Sequence, residues 1–354
     1  MKNFNYDTCW KSLLTPEIVS LLTQIHEYKG RHNLFVETRA DILTQLVETA
    51  KIHSTEASSK IEGILISDER LKKIVKDKTS PQNRNEQEIA GYRDVLAAIQ
   101  ENHDFIPLKP TWILQLHKDL FKYTGSSYGG NYKTANALNT EVRFDGKKHV
   151  RFYPEKAGET PETIDMLCKA YEDITRDGTA DPLLIIPMFT LDFLCIRPFS
   201  DGNGRMSRLL TLLLLYRAGY IVGKYISIES LIERTKDTYY EALLQSSENW
   251  HENKNDYRPF VQYMLGLIAA AYREFETQAD ILIAKGLSKT ERIAEAIKGT
   301  SGKITKRELL EKCPGISEIT VQRALSELLK NGDIVKISGG RYTSYVWIRE
   351  NKKI

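Results

Sequence analysis

The residues best suited to chemistry lie in one stretch, Ile196–Arg208, between two apolar segments that are predicted to be helices. Gly202 and Gly204 let the backbone approach a ligand closely and adopt dihedral angles closed to other residues. The stretch leads into a helix whose first N–H groups lack partners and whose dipole favours an anion. Arg205 and Arg208 are three residues apart, so both are expected on one face at that N-terminus. This combination predicts a site for a di- or triphosphate.

A carboxylate and an amide in the same stretch extend this prediction. Asp201 is placed to hold a Mg²⁺ ion that bridges phosphate oxygens. The alternative is a tight turn between two helices, with arginines that pair with surface carboxylates. Asp201 and Asn203 beside two arginines at helical spacing favour the phosphate site over that alternative.

The sequence around this stretch predicts a mainly α-helical protein. Apolar residues recur at helical spacing through the first 100 residues and again over residues 161–284. Between them, residues 125–153 are rich in Gly, Asn, Thr and Tyr and contain the alternating letters VRFDGKKHVRFY. The Asp145-Gly146 pair predicts the turn of a β-hairpin. We therefore expect a helical core with one inserted hairpin.

These elements divide the chain into three regions. A helical region at 1–100 precedes a core at 101–284, and a short linker joins the core to a tail at 288–354. The helices predicted in the core are 112–123, 164–176, 182–196, 206–218, 231–247 and 257–284. The tail has three helical segments that each begin at Ser or Thr, and then two strands around Gly339-Gly340. That order is typical of a winged helix-turn-helix domain.

The positive charge of the chain is concentrated in the tail. Residues 288–354 carry 14 Lys or Arg and 8 Asp or Glu, a net charge of +6, whereas the whole chain carries +3. A basic tail of this kind favours DNA contact through residues 317–341. Ser317, Thr320 and Arg323 could face a DNA groove, but Glu318 and Glu327 lie on the same helix, and winged helices also bind proteins. Both kinds of partner therefore remain open.

Composition indicates a globular protein in a reducing compartment. Apolar residues make up 41% of the 354 residues and charged residues 27%. The four cysteines (Cys9, Cys168, Cys195 and Cys313) form no C-x-x-C pair. The first residues lack the apolar run of a signal peptide, and the longest apolar run, Leu209–Tyr216, is too short to cross a bilayer. We expect a cytoplasmic protein without membrane contact.

Four segments of the chain resemble the Fic family. Residues 198–208 match the family signature H-P-F-x-x-G-N-G-R-x-x-R at every fixed position after the first. Residues 58–63, SSKIEG, fit the family's inhibitory pattern of Ser or Thr, three residues, Glu, then Gly or Asn. Residues 129–134, GGNYKT, and the hairpin up to residue 154 resemble the family's flap. Residues 238–243, TYYEAL, resemble its Y-Y-x-A-L segment, so the resemblance covers about residues 30–265.

The resemblance implies a reaction, two ligands and a set of site residues. Family members transfer AMP from ATP to a hydroxyl of a target protein, so ATP and Mg²⁺ are expected here. The unidentified target protein would dock on the flap, residues 129–154. By the same resemblance, Gly202, Asn203, Gly204, Arg205 and Arg208 would hold the phosphates, Asp201 the Mg²⁺, and Tyr239 and Tyr240 the adenine.

The resemblance also implies an inhibitory helix at about residues 50–63, with Ser58, Glu62 and Gly63 as its motif. Glu62 would pair with Arg208 and keep the γ-phosphate from its productive position. A carboxylate bound by a guanidinium group competes directly with phosphate for that group. The alternative is an ordinary solvent-facing acid on a helix, and the flanking match favours the inhibitory role.

One position departs from the signature, because Arg197 stands where the family has its catalytic histidine. That histidine takes the proton from the target hydroxyl, whereas arginine stays protonated and has no acceptor lone pair. Three interpretations remain open. The site binds nucleotide and transfers AMP very slowly; or a base is dispensable or comes from elsewhere, with His117 and His149 nearest in the chain; or Arg197 is an inactivating substitution of a native histidine.

Two functions therefore remain open on the sequence. The first is an adenylyltransferase that is autoinhibited by Glu62 and impaired by Arg197. The second is a nucleotide-sensing regulator that binds DNA or protein and transfers nothing. Members of the family often dimerise, so a homodimer also remains open.

Overall fold

The structure is a computed structural model that describes residues 2–38, 40–136, 139–142, 148–286, 289–300, 302–313, 315–337 and 343–348. Of these, it describes the backbone alone at 37–38, 40–42, 45, 139–142, 148–151 and 282–286. The chain divides into two compact units, Met1–Glu276 and Thr277–Ile354.

The first unit is built from helices and one pair of strands, which confirms the mainly α fold class. Its last helix, α12, continues into the second unit. The helices are α1 (Tyr6–Cys9), α2 (Pro16–Thr38), α3 (Ala40–Ile61), α4 (Asp68–Val75), α5 (Arg84–Asn102), α6 (Pro110–Leu120), α7 (Thr160–Asp177), α8 (Pro182–Ile196), α9 (Asn203–Arg217), α10 (Ile228–Arg234), α11 (Lys236–Ser247) and α12 (Arg258–Gly286).

The two helices α8 and α9 carry the motif between them. Almost every side chain of α8 is buried, as expected for a helix that is apolar on all sides. Asp181 begins α8 by accepting a hydrogen bond from the Leu183 N–H at 2.9 Å. Helix α8 packs against α7 on one side and α9 on another. The connection at residues 197–202 is therefore held between two buried helices.

The inserted hairpin consists of β1 (Asn139–Val142) and β2 (Lys148–Phe152), which pair antiparallel. Thr140 lies opposite Val150, and Val142 opposite Lys148. This confirms the predicted strand pair, and the turn predicted at Asp145-Gly146 lies outside the described residues.

The helix predicted over residues 231–247 was wrong, because the chain forms two helices that are separated at Thr235. The Thr235 hydroxyl donates a hydrogen bond to the Leu231 carbonyl at 2.8 Å and lies 2.8 Å from the Tyr263 hydroxyl. A threonine that bonds the carbonyl one turn back competes with regular helix hydrogen bonding. The break separates α10 from α11, the helix that carries the predicted site residues Tyr239 and Tyr240.

The second unit contains α13 (Lys289–Lys298), β3 (Ile304–Thr305), α14 (Lys306–Lys312), α15 (Glu318–Asn331), β4 (Ile334–Ile337) and β5 (Ser344–Trp347). Its sheet has the strand order β3-β5-β4. Thr305 and Ser317 cap the two helices that follow them, and Gly332 ends α15 with a φ of 78°. The predicted turn at Gly339-Gly340 lies outside the described residues.

Among the helices in the described ranges, none combines the length and apolar character that crossing a membrane requires.

Candidate functional site

The loop between α8 and α9 is shaped by its own backbone and by one buried amide. Arg197 ends α8 in a left-handed conformation with φ 46°, and Gly202 begins α9 with φ 77°. The Asn203 side chain accepts from the Phe199 N–H at 3.0 Å and donates to the Phe199 carbonyl at 2.8 Å. The Asn203 amide group therefore closes the loop at the start of α9.

His117 of α6 fastens this loop to the start of the flap. Its Nε2 lies 3.0 Å from the Asp201 carbonyl, and its Nδ1 accepts a hydrogen bond from the Gly130 N–H at 3.0 Å. Its ring stacks on Phe199 with centroids 3.6 Å apart. Burial lowers the pKa of His117 to about 4, so the ring is neutral at neutral pH. Both ring nitrogens are engaged, which argues against His117 as the replacement base.

Arg208 is held by the segment that resembles the inhibitory motif. Its Nη2 donates to Glu62 Oε1 at 2.8 Å and to the Ser58 carbonyl at 3.0 Å, and its Nε donates to the Ser58 hydroxyl at 3.0 Å. The Arg208 side chain is almost fully buried, whereas that of Glu62 is one-third exposed. Two of the three predicted inhibitory residues thus meet the motif arginine directly.

Glu62 lies in the turn after α3, one residue beyond its last helical residue, and not on the helix itself. Gly63 follows with φ 78°, which turns the chain away and leaves Glu62 pointing at α9. A Cβ atom added at Gly204 would come within 2.3 Å of Glu62 Oε1. Glycine at position 204 is therefore what allows the carboxylate to reach the start of α9.

The ionisation of Glu62 is stabilised by its cationic neighbours. Burial opposes the charged form, but Arg208, and at longer range Arg205 and Arg197, hold the pKa of Glu62 below its usual value. The carboxylate is consequently charged at neutral pH, and the contact with Arg208 is an ion pair.

The placement of Arg205 differs from the sequence prediction. Its Nη1 lies 2.8 Å from Glu88 Oε2 and its Nη2 lies 3.7 Å from Asp201 Oδ1. Its guanidinium group also lies over the Phe121 ring, 5.0 Å from the centroid. Arg205 and Arg208 are three residues apart on α9, but they contact different carboxylates, Glu88 and Glu62 respectively. Arg205 lies beneath the loop, and Arg208 lies beside the cavity.

A cavity of about 220 Å³ opens beside the start of α9. Its polar end has the loop, Glu62 and Arg208, and its apolar end has side chains of α11 and of β2. This volume lies below the range usual for ligand pockets, as expected for a site that a carboxylate partly occupies. The lining residues are Glu62, Phe152, Leu194, Arg197, Ser200, Asp201, Gly202, Asn203, Gly204, Arg208, Tyr239, Tyr240, Leu243, Leu244 and Ser247.

Asp201 fits the requirements of a Mg²⁺ ligand shared with phosphate. Its side chain is about half exposed at the cavity, and its Oδ1 accepts from the Gly202 N–H at 2.6 Å. No cluster of three or more His, Cys, Asp or Glu that suits a metal occurs in the described part of the chain. Mg²⁺ is commonly held by one carboxylate together with substrate phosphates and water, so a single aspartate suffices.

Comparison with known proteins identifies the domain that carries this site. Residues 107–215 match the sequence profile described as the Fic/DOC family. The protein adenylyltransferase Fic of Aedes aegypti is 29% identical over 181 residues, 49% of this chain and 30% of that protein. The protein adenylyltransferase fic-1 of Caenorhabditis elegans is 30% identical over 198 residues, 54% of this chain and 34% of that protein. The chain thus spans about a third of the length of these relatives.

Solved structures show the same fold. A Fic family protein from Desulfovibrio desulfuricans G20 superposes with a TM-score of 0.62 at 22% identity, over 96% of this chain and 98% of that one. Fic-1 of C. elegans, residues 134–508, superposes with a TM-score of 0.60 at 18% identity, over 75% of this chain and 73% of that one. Residues 107–215 of this chain form a Fic domain.

The Fic profile covers only part of the cavity wall. The loop and Arg208 lie inside residues 107–215, whereas Glu62 precedes the profile and Tyr239 and Tyr240 follow it. The Tyr239 ring is buried against Tyr240, Phe260 and Tyr263. Residues outside the Fic profile therefore supply the carboxylate and the aromatic wall.

Arg197 occupies the Fic histidine position and lines the cavity. The ion pairs of the described residues include Arg205 and Arg208 but not Arg197. Among the described side chains, no carboxylate pairs with Arg197, so a ligand would reach this arginine without displacing any of them. His149, the other candidate base, lies in β2 opposite Glu141, and its side chain lies outside the described residues.

Sequence reasoning missed two residues that fasten the Fic loop. Glu88 of α5 pairs with Arg205 and also accepts from Arg84 Nε at 3.0 Å. Lys133, just before the hairpin, donates to two motif carbonyls. A buried glutamate and a buried lysine have no local sequence signal, because each partner is distant in the chain.

Proposed function

We propose that this chain is a Fic protein of the adenylyltransferase type, which binds ATP with Mg²⁺ at the start of α9 and is inhibited by Glu62. The contact of Glu62 with Arg208, 2.8 Å long, carries the proposal. A guanidinium group beside a glycine-rich helix start suits phosphate, and the carboxylate occupies the place of a phosphate oxygen. The names of the relatives support this choice of reaction.

The reaction proposed is transfer of AMP to a protein hydroxyl. The target oxygen forms a bond to the α-phosphorus of ATP, and the bond to the bridging oxygen of the β-phosphate breaks. Pyrophosphate leaves, and the hydroxyl proton must pass to an acceptor. The target chain would reach the α-phosphate from the side of the flap, residues 129–154.

Each part of the cavity has a proposed task in holding ATP. The N–H groups at Gly202, Asn203 and Gly204 would bind phosphate oxygens, together with Arg208 once Glu62 has left it. Asp201 would hold Mg²⁺, which neutralises charge on the phosphates and the leaving pyrophosphate. The apolar end with Tyr239 and Tyr240 would take the nucleobase.

Arg197 lowers the rate of AMP transfer that we expect of this site. An arginine cannot accept the hydroxyl proton, and general-base help is typically worth about 10²–10⁴-fold. Phosphoryl transfer depends mainly on positioning and charge neutralisation, so slow transfer remains compatible with this site. We therefore propose a nucleotide-binding Fic protein with strongly reduced transfer.

The second candidate function is a nucleotide-sensing regulator without transfer, and two observations favour it. The catalytic position holds an arginine, and the second unit has a helix, α15, with a polar outward face that includes Gln322 and Arg323. We propose that residues 288–354 form a winged helix that binds DNA or a protein.

Labelled ATP separates the two functions. The unaltered chain, Glu62→Gly, Arg197→His and the double variant would each be incubated with Mg²⁺ and ATP labelled at the α-phosphate. Glu69→Gly is the matched control, since Glu69 is an exposed acid at the start of α4. Label on the protein is measured after denaturing electrophoresis.

The transferase proposal predicts the strongest labelling in the double variant and roughly 10²–10⁴-fold less in Glu62→Gly alone. ATP binding without labelling in any variant would favour the regulator. If the double variant shows no ATP binding and no labelling, both proposals are contradicted.

A further inference from the structure

The residue at position 197 is held in a conformation that it does not favour. Arg197 has φ 46° and ψ 67°, in the left-handed region that residues other than glycine seldom adopt. Its N–H donates to the Phe193 carbonyl at 3.0 Å, which closes the end of α8. Such strain persists only where the surroundings fix it, and it is concentrated at functional sites.

One residue, Lys133, bonds the backbone on both sides of Arg197, through its side chain and through its own N–H. Lys133 Nζ donates to the carbonyl of Ile196 at 2.8 Å. The Lys133 N–H donates to the carbonyl of Pro198 at 2.9 Å. The Ile196 carbonyl belongs to the peptide group directly before Arg197, and the Pro198 carbonyl to the peptide group that follows Pro198. Lys133 therefore holds the backbone on both sides of position 197.

The burial of Lys133 supports a structural role for its bond to the Ile196 carbonyl. Its side chain is only 3% exposed, and lysine is almost never fully buried unless it is paired. Burial lowers the pKa of Lys133 to about 8, with Glu155 acting in the opposite direction and Arg197 in the same one. Glu155 is itself buried, and it lies on the other side of the hairpin.

We propose that Lys133 is the positioning residue for the catalytic position of this Fic domain: by bonding the carbonyls before and after residue 197, it directs that side chain into the cavity. This inference rests on the proposed function for its catalytic meaning, but its structural content does not require ATP. The bonds involve backbone carbonyls, so they hold whichever residue occupies position 197.

Lys133 also links position 197 to the flap, residues 129–154. Lys133 lies between Gly130, which is bonded to His117, and the first strand of the hairpin. The same short segment therefore supports the flap and fixes position 197. Displacement of the flap by a docking protein would be transmitted to the catalytic side chain through Lys133.

The test uses the full chain with Arg197→His, which places an observable imidazole at the fixed position. Lys133→Met removes the Nζ donor but keeps an unbranched side chain that reaches as far as Cε, together with the backbone bond. Lys156→Met is the matched control, because Lys156 is an exposed lysine on the other side of the hairpin. Histidine labelled with ¹³C at Cε1 gives one NMR resonance per imidazole, and Arg197→His is assigned by comparison with the unaltered chain.

We expect a single sharp resonance for the introduced imidazole with Lys133 or with Lys156→Met, and a broadened or doubled one with Lys133→Met. In the Glu62→Gly background, Lys133→Met should lower the kcat of labelling by ATP at least tenfold and change KM little. An unchanged single resonance in a folded Lys133→Met protein would overturn the inference. Should Lys133→Met not fold, Lys133→Gln, whose side chain is one atom shorter, is read in the same way.

The two proposals fail separately in this design. If no variant binds or transfers ATP while the resonance responds to Lys133→Met, the positioning role stands and the proposed function is wrong. If transfer occurs and the resonance and kcat ignore Lys133→Met, the proposed function stands and the positioning role is wrong.

Discussion

At the scale of single residues, Arg205 and Arg208 have different environments although the signature contains both. Arg208 lines the cavity and is bound to Glu62, whereas Arg205 is bound to Glu88 below the loop. Hydrogen bonds to charged groups contribute about 1.5–3 kcal/mol, which corresponds to roughly 10–100-fold in affinity. In the Glu62→Gly background, Arg208→Gln should therefore weaken ATP binding by that factor, as measured by calorimetry.

Arg205→Gln should act on stability instead. Removal of one partner of a buried ion pair costs about 3–5 kcal/mol, and Arg84 retains part of the compensation for Glu88. We expect a clear loss in the free energy of unfolding by urea and an ATP affinity within about threefold of the parent. Equal losses of ATP affinity in the two arginine variants, with unchanged stability, would restore the sequence prediction that both arginines bind phosphate.

Among the motif residues, Asn203 has a structural role that the signature alone does not reveal. The sequence places it among phosphate ligands, but its side chain is committed to the backbone of Phe199. Its N–H group remains available at the start of α9. The signature therefore identifies the loop correctly while leaving the division between ligand contacts and loop contacts to the three-dimensional structure.

At the scale of elements, two buried histidines join helices to their neighbours. His117 joins α6 to the loop, and His32 of α2 lies among Tyr225, Tyr272 and Phe275. Burial lowers the pKa of each to about 4, against about 6.5 in an unfolded chain. Between these values only the unfolded chain binds the protons. Stability should therefore fall as pH drops from about 6.5 to 4, by about 3 kcal/mol per histidine.

The measurement is urea unfolding at several pH values across that window. His32→Phe fits the aromatic surroundings and removes one titrating group, so its stability should depend less steeply on pH. A slope equal to that of the unaltered chain, or a titration of the two imidazoles near 6.5 by NMR, would contradict the lowered pKa values.

The sequence predicts elements better than it predicts their contacts. Periodicity located α8 at 182–196, because an apolar run between Asp181 and the motif has clear ends. It joined α10 and α11, because no glycine or proline marks the break at Thr235, whose hydroxyl contacts the Leu231 carbonyl and the distant Tyr263. Periodicity did not identify Glu88 and Lys133 as site residues, because their partners Arg205 and Ile196 lie far along the chain.

At the scale of the whole molecule, the chain has one helical unit with a cavity and one small unit with excess positive charge. In the second unit, the buried core includes Val321, Leu325 and Leu328 of α15, which leaves the opposite face of this helix exposed. The inward positions match the periodicity of the sequence. The outward face is the surface that we propose for DNA.

DNA binding by the second unit predicts a strong dependence on salt. The full chain should retard a random duplex of about 20 bp in a gel at low ionic strength. The slope of log K for association against log salt concentration should be about −0.9 for each phosphate contact. Arg323→Gln should weaken binding at all sequences, whereas Arg176→Gln, an exposed arginine of the first unit, should not. Absence of retardation at low salt would leave a protein as the partner of this unit.

The central claim is that the start of α9 receives polyphosphate when Glu62 is absent. Its most direct measurement is the Kd for ATP with Mg²⁺ by calorimetry in the unaltered chain, Glu62→Gln and the control Glu69→Gln. We predict at least tenfold tighter binding in Glu62→Gln and no change in the control, because only Glu62 competes for Arg208. A folded Glu62→Gln protein that shows no heat of binding with ATP would contradict the account.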